Sequence, residues 1–303
     1  MRKIRAFVET QLALTLVTAC VLGLLFPYGR QIPDVAIIVP MAAVIFISCF
    51  KINVPLRSAF SQSALLFYLA RYVALPLLLG WLCSLAFPDY ALAVLLLTAL
   101  PPGASSAALT GLYNGNVALA FVLTIVGSAL CVFLIPAYVA LIGHIDIAID
   151  PMPIFRTLAF CIFLPGLLYV VLRKNAPIVR FNEHHGRLVS VLLVSLNVFI
   201  VIAKQRQTIL QDPQLLIVPA LIAAGCYFAY ALAVLFLKFK AADHIAYGVC
   251  SVFNNIALGV GLAILHFTPQ VILTTVMAEI LWCFLPFFAQ PLVDKVLRKD
   301  KIV

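Results

Sequence analysis

Two charged side chains stand inside stretches that are otherwise apolar. Arg71 lies in Leu69-Ala70-Arg71-Tyr72-Val73-Ala74-Leu75-Pro76, and Glu279 in Met277-Ala278-Glu279-Ile280-Leu281. A charge at bilayer depth costs roughly 2.5–3.5 kcal/mol on insertion scales, so each is a functional candidate. Being of opposite sign, they can form an ion pair that locks two helices, or one of them can face a substrate. Two further places carry chemistry of another kind. Leu100-Pro101-Pro102-Gly103-Ala104-Ser105-Ser106 interrupts an apolar run from Tyr90 to Leu112, and Ser251-Val252-Phe253-Asn254-Asn255 interrupts one from Tyr247 to Phe267. Two prolines and a glycine remove backbone donors and helix propensity together, so the first run must break. At bilayer depth a broken backbone survives only where protein or a water-filled cavity satisfies the freed groups.

Each break starts a new half-helix whose first amides lack partners and whose end carries partial positive charge. Ser105 and Ser106 are placed to cap the first half-helix. Asn254 and Asn255 can both donate and accept at the second. Two such N-termini meeting from opposite directions suit an anion, and the carbonyl ends of the preceding half-helices suit a cation. The plainer alternative is two kinked helices that pack irregularly. The candidate site from residue chemistry is therefore Arg71, Pro102, Gly103, Ser105, Ser106, Asn254, Asn255 and Glu279. Glu9 and His266 read as interfacial, and Asn197 as an interhelical hydrogen bond or a gate.

The elements that hold these residues are membrane spans. Of 303 residues, 65% are hydrophobic and 10% charged, with a mean hydropathy of +1.15. Soluble chains carry about a quarter of their residues charged. Runs of roughly 17–25 apolar residues mark transmembrane helices. Ten are legible, at about 7–27, 34–50, 61–87, 90–112, 117–142, 153–173, 188–204, 214–237, 244–267 and 270–291. With the N-terminus inside, fifteen Lys and Arg fall on inner connections and the tail, against Arg30, Arg156, Lys204 and Arg206 outside. Both termini are accordingly expected in the cytoplasm. That distribution also argues against nucleic acid as the partner of the +9 net charge.

The long inner connection from Arg173 to Arg187 splits the spans five and five, and an odd number per half inverts the second relative to the first. The expected fold is thus all-α and integral to the membrane, with ten transmembrane helices in two inverted five-helix repeats, 1–150 and 151–303. Helices four and nine would be discontinuous and crossing. Cys131-Val132-Phe133-Leu134-Ile135-Pro136 faintly echoes Cys283-Phe284-Leu285-Pro286 across the two halves. The segment Asn182-Glu183-His184-His185-Gly186 reads as a solvated loop. The eight cysteines, all in apolar spans and none paired as CxxC, read as buried free thiols. Nothing after Arg2, Lys3 and Arg5 resembles a signal-peptide cleavage site, so the first span is expected to stay. HExxH, GxSxG, Walker and paired DxxxD signatures are absent from the sequence, so the chain is not read as an enzyme.

The residues resemble a known family at both breaks. Leu100-Pro101-Pro102-Gly103-Ala104-Ser105-Ser106 with Thr110, then Gly115-Asn116-Val117-Ala118-Leu119 and Thr124, is similar to the fourth-to-fifth helix signature of the bile acid:sodium symporter family. Phe253-Asn254-Asn255-Ile256-Ala257-Leu258 resembles its ninth-helix break, and Lys51 to Pro76 its amphipathic connector and third helix. The resemblance implies a panel domain (spans one, two, six and seven) and a core domain (three to five, eight to ten). Substrate would bind in the cleft between them, beside the crossover, with access alternating by relative domain motion. It further implies two sodium sites, of which Ser106 and Thr124 keep ligand-type oxygens. The other positions depart: Ala107 stands for an asparagine, Ala120 for a serine, Cys250 for a glutamate and Arg71 for a glutamine.

A hard cation wants several oxygens, preferably with a carboxylate. Arg71 is therefore expected to substitute for one sodium, leaving transport sodium-independent or proton-coupled with Glu279 as the proton carrier. No cofactor is expected; sodium itself is the open question. The substrate expected is a small organic anion, a carboxylate or bile-acid-like molecule, moved across a bacterial-type inner membrane. A conventional sodium:organic-anion symporter and a non-transporting membrane sensor are the alternatives.

Overall fold

The computed structural model describes residues 2–33, 35–50, 61–103, 105–142, 149–211, 213–236 and 241–299. Among these, regular structure is helical throughout, apart from one isolated two-residue bridge. The expected connector residues 51–60 and the cations Lys238, Lys240 and Lys301 lie outside the described residues.

The first helices are α1 (Arg2–Leu25), α2 (Val35–Cys49) and α3 (Gln62–Leu69), which one π-helical turn over Ala70–Ala74 joins to α4 (Leu75–Ala86). Ser61 starts α3 with its hydroxyl accepting from the amide of Ala64 at 3.2 Å. The π-turn has a local cause. Pro76 has no N–H, so the carbonyl of Tyr72, four residues earlier, loses its helical partner. The hydroxyl of Tyr138 donates to that carbonyl instead. Such turns re-aim side chains within an otherwise continuous helix, and this one carries Arg71 and Tyr72 into the interior, both buried.

Next come α5 (Ala91–Ala99) and α6 (Ser106–Leu112), then α7 (Val117–Ile142) and α8 (Pro151–Leu172). Helix α5 stops because Pro101 forces the residue before it out of the helical region; Leu100 is extended, at φ −61° and ψ 140°. Asp150 caps α8, accepting from the amide of Met152 at 2.9 Å ahead of a proline at the first helical position.

Helix α9 runs unbroken from Ala176 to Gln211, 36 residues or about 54 Å, well beyond the ~30 Å of a hydrocarbon core. This corrects the loop expected at 182–186, which is helical. Asn175 caps the start of α9 through the amide of Ile178 at 3.3 Å, and Pro177 sits in the first turn. The polar residues then have work on a helix: Asn182 Nδ2 donates to the carbonyl of Ile47 near the end of α2 at 3.3 Å. The inner connection shrinks accordingly to 173–175. Lys204 and Arg206, exceptions to the charge pattern, donate from α9 to the carbonyls of Ile32 at 2.6 Å and Leu24 at 2.7 Å. Arg206 thereby answers the partial negative charge at the end of α1.

The last helices are α10 (Ile217–Phe236), α11 (Ala241–Val252), α12 (Ile256–His266) and α13 (Pro269–Lys299). Five stretches among the described residues are long and apolar enough to cross a membrane: Gln62–Ala86, Val117–Leu141, Pro151–Leu172, Leu188–Gln211 and Pro213–Val234. The remaining apolar helices are shorter. Helices α1, α2, α8 and α9 pack on one another, while α3–α7 and α10–α13 form a second group; α1 touches α13 and α7 touches α8 between them. Apolar side chains such as Leu69, Trp81, Leu85, Leu167, Val171, Leu221 and Phe228 face outward, as a lipid-facing surface requires.

Candidate functional site

The two breaks meet. Pro102 and Asn254 form an antiparallel bridge in which the amide of Gly103 donates to the carbonyl of Phe253 and the amide of Asn255 to that of Pro101, both at 2.8 Å. The Ser106 hydroxyl adds a bond to the same Phe253 carbonyl at 3.0 Å. Each interrupted strand of backbone thus satisfies the other, which is how irregular backbone is tolerated away from water. Approach this close favours glycine at 103, where a Cβ would stand 3.3 Å from the carbonyl oxygens of both Phe253 and Asn254. Capping is divided differently from the expectation. Ser105 occupies the cap position of α6 without a side-chain cap bond, and Ser106 bonds across the crossing. Asn255 does cap α12, accepting from Leu258 at 3.3 Å.

Arg71 enters this crossing from the π-turn, 1% exposed. One terminal nitrogen of its guanidinium donates to the carbonyl of Thr98 and to the Tyr230 hydroxyl at 2.7 Å. The other donates to the carbonyl of Leu100 at 3.3 Å and to Asn254 Oδ1 at 2.7 Å. Its Nε is buried without a partner. The Tyr230 ring lies under the guanidinium carbon at 3.8 Å, and its hydroxyl donates to Thr98 at 2.7 Å. Every one of these acceptors is neutral. The negative counterpart is the pair of helix ends: α5 and α11 both terminate here, and two C-termini carry about half a unit of negative charge each, together matching one guanidinium.

Arg71 and Glu279 do not pair. Glu279 is 3% exposed on α13, with Oε2 lacking any hydrogen-bond partner. Asn197, expected to bridge helices or gate, is buried with both amide atoms unpartnered. His266 does bridge helices, with Nε2 2.9 Å from the Thr157 hydroxyl on α8. Thr124 sits on α7, its hydroxyl donating to the carbonyl of Ala120 at 2.8 Å. Of the expected site residues, Arg71, Pro102, Gly103, Ser106, Asn254 and Asn255 come together at the crossing; Thr124 and Glu279 are outside its hydrogen-bond set.

Three of the positions where the resemblance implies sodium ligands lie in one apolar cluster. Ala107, Ala120 and Cys250 pack with Phe67, Tyr68, Tyr72, Leu123 and Tyr247. The Cys250 thiol points to the Ala120 carbonyl at 3.5 Å. Ser106 and Thr124 already direct their hydroxyls at carbonyls, and alanine, alanine and cysteine stand where the resemblance implies an asparagine, a serine and a glutamate. This donor set does not fit a hard cation, which needs several converging oxygens.

Tyr230 and Thr98 were not singled out by sequence, because an apolar-run tyrosine and threonine carry no signal until the fold brings them to Arg71. Beside them, a crevice too narrow to admit a water is lined by Leu97, Ala223, Cys226, Tyr227, Tyr230, Asn254 and Ile256.

Among curated proteins none matches the chain. A family model described as the sodium bile acid symporter family matches residues 57–212, just over half of the 303-residue chain and a stretch that includes Arg71, the first break and α7. The helices, the apolar outer surface and this match make the chain an integral membrane protein of a transporter family, and it belongs to the sodium bile acid symporter family.

Proposed function

We propose that the chain is a secondary transporter that carries a small organic anion, a carboxylate or bile-acid-like molecule, without sodium. In this reading ten helical segments cross the membrane: α1, α2, α3 with α4, α5 with α6, α7, α8, α9, α10, α11 with α12, and α13. The two five-segment repeats are 1–150 and 151–303, inverted relative to each other, with both termini cytoplasmic in an inner membrane. Helices α1, α2, α8 and α9 are the panel and the rest the core; sliding one against the other alternates access to the cleft beside the crossing. The packing of the helices in two groups supports that division.

The observation that carries the sodium-independent reading is the set of bonds from Arg71 to Thr98, Leu100 and Asn254. They occupy the carbonyl ends that would otherwise attract a mobile cation, and the guanidinium is permanently charged. The remaining candidate residues divide the labour. Pro102, Gly103 and Ser106 hold the crossing, Asn255 caps α12, and Asn254 and Tyr230 present the walls of the crevice. Ser105, Thr124 and Glu279 stand at the edges of this set.

The test is uptake of radiolabelled acetate, lactate, succinate and citrate into proteoliposomes, with external sodium replaced by potassium. Uptake of at least one carboxylate at equal rates in both salts is expected. Strict dependence on sodium would make this a conventional symporter, and binding of a carboxylate with no flux would make it a sensor on the same fold.

A further inference from the structure

A tethered cation reproduces the charge of a sodium ion but cannot supply its energy. Arg71 stays on its helix, so no gradient of it can drive uphill transport. If the carrier concentrates its substrate, the driving ion has to bind elsewhere.

Glu279 is the one buried acid among the described side chains. Its Oε2 has no hydrogen-bond partner. Among the described side chains the groups that face it are few. From α10 comes Tyr227, whose hydroxyl is committed to the carbonyl of Ala278 at 3.0 Å. From α1 comes Cys20, which also meets Cys283 one turn along α13. Cys283 points its thiol at the main-chain carbonyl of Glu279 at 3.3 Å, not at the carboxyl. Helices α5, α9, α11 and α12 also touch α13, as do the turns Pro88–Tyr90, which carries Asp89, and Pro213–Leu216; among the described residues none of these is an electrostatic partner of this carboxyl. The buried guanidinium commits both terminal nitrogens at the crossing. A carboxylate 3% exposed, with one oxygen lacking any donor and no cation beside it among the described residues, is disfavoured, and the neutral acid is the form such a site accepts.

The position of this acid matters as much as its surroundings. It is on α13, in the core group, and part of its cover is Cys20 on α1, in the panel group.

We infer that Glu279 binds one proton in the conformation seen here and exchanges it with water when α1 separates from α13, so that a proton travels with each substrate anion. This rests on the alternating-access reading above. The movement is electroneutral for a monocarboxylate: one negative charge and one proton cross together, and Arg71 returns with the protein.

Two measurements test it. The first needs no substrate. Infrared spectra of the purified protein at neutral pH should contain a protonated-carboxyl band that Glu279→Gln removes; loss of carboxylate bands instead, with the protonated-carboxyl region unchanged, would mean an ionised Glu279 and overturn the inference. The second uses whichever of acetate, lactate, succinate or citrate is taken up. An inward-directed proton gradient should raise wild-type uptake severalfold, Glu279→Gln should abolish that rise, and Glu279→Asp should restore part of it. Wild-type uptake indifferent to the gradient, or a gradient response unchanged in Glu279→Gln, would overturn it. If no carboxylate is taken up at all, the transport reading fails while the infrared result still decides the proton.

Discussion

At position 71 one side chain reaches four acceptors from a single point: two carbonyls at the end of α5, a phenol on α10 and an amide just past α11. Only a planar fork with several donors does this; a lysine would bring the charge but not the geometry. Tyr230 is the residue that keeps the fork in place, by stacking at 3.8 Å and by accepting one of its bonds. Tyr230→Phe should keep the stack and lose the hydroxyl, at a cost of about 1–3 kcal/mol from donors and acceptors left unpaired. Tyr230→Ala should cost about 3–5 kcal/mol, since a cavity is added. Denaturant unfolding in detergent measures both; equal losses in the two variants would show that the hydroxyl and not the ring matters. The sequence made Arg71 visible because a charge in an apolar run stands out. Its partners were not visible: Thr98 is 27 residues away and Tyr230 159, and neither type is unusual in a span. Glu279 was a plausible partner by sign alone. Two helix ends took its place, and dipoles of broken helices leave no letter in the sequence.

Elements that depart from a straight helix do so at prolines, asparagines and glycines whose effects are local. That is why the two breaks, the stop before Pro101 and the caps at Ser61 and Asp150 could be read or rationalised residue by residue. That the breaks would touch, and pair through Pro102 and Asn254, depended on packing over 150 residues of chain. The helical run over 182–186 went unrecognised for a different reason. Its residues are polar, and polarity was taken as solvent-facing loop although Asn175 and Pro177 supply a cap and a first turn. Asn175→Ala should cost about 1 kcal/mol of helix stability. Hydrogen exchange should quicken over residues 176–187 in that variant while residues 188–211 keep their protection. Unchanged exchange at the start of α9 would mean that its contacts with α2, not the cap, hold this end.

For the whole molecule, composition alone dictated a membrane protein, because 65% hydrophobic residues cannot be covered by a soluble surface. Among the described residues five stretches meet the length and hydropathy of a full crossing, while α5, α6, α11 and α12 are each too short to do so alone. In the proposed reading the two packing groups, the crossing and the buried acid near their contact form a carrier whose fixed positive charge takes the place of a mobile ion. The measurement that bears most directly on this is the melting temperature of wild type and Arg71→Gln, in sodium and in potassium at equal ionic strength. A ligand that binds only the folded state raises stability by mass action. Wild type should melt at the same temperature in both salts, and Arg71→Gln, having vacated the carbonyl ends, should melt higher in sodium. Stabilisation of the wild type by sodium, or a folded Arg71→Gln that ignores it, would contradict the account.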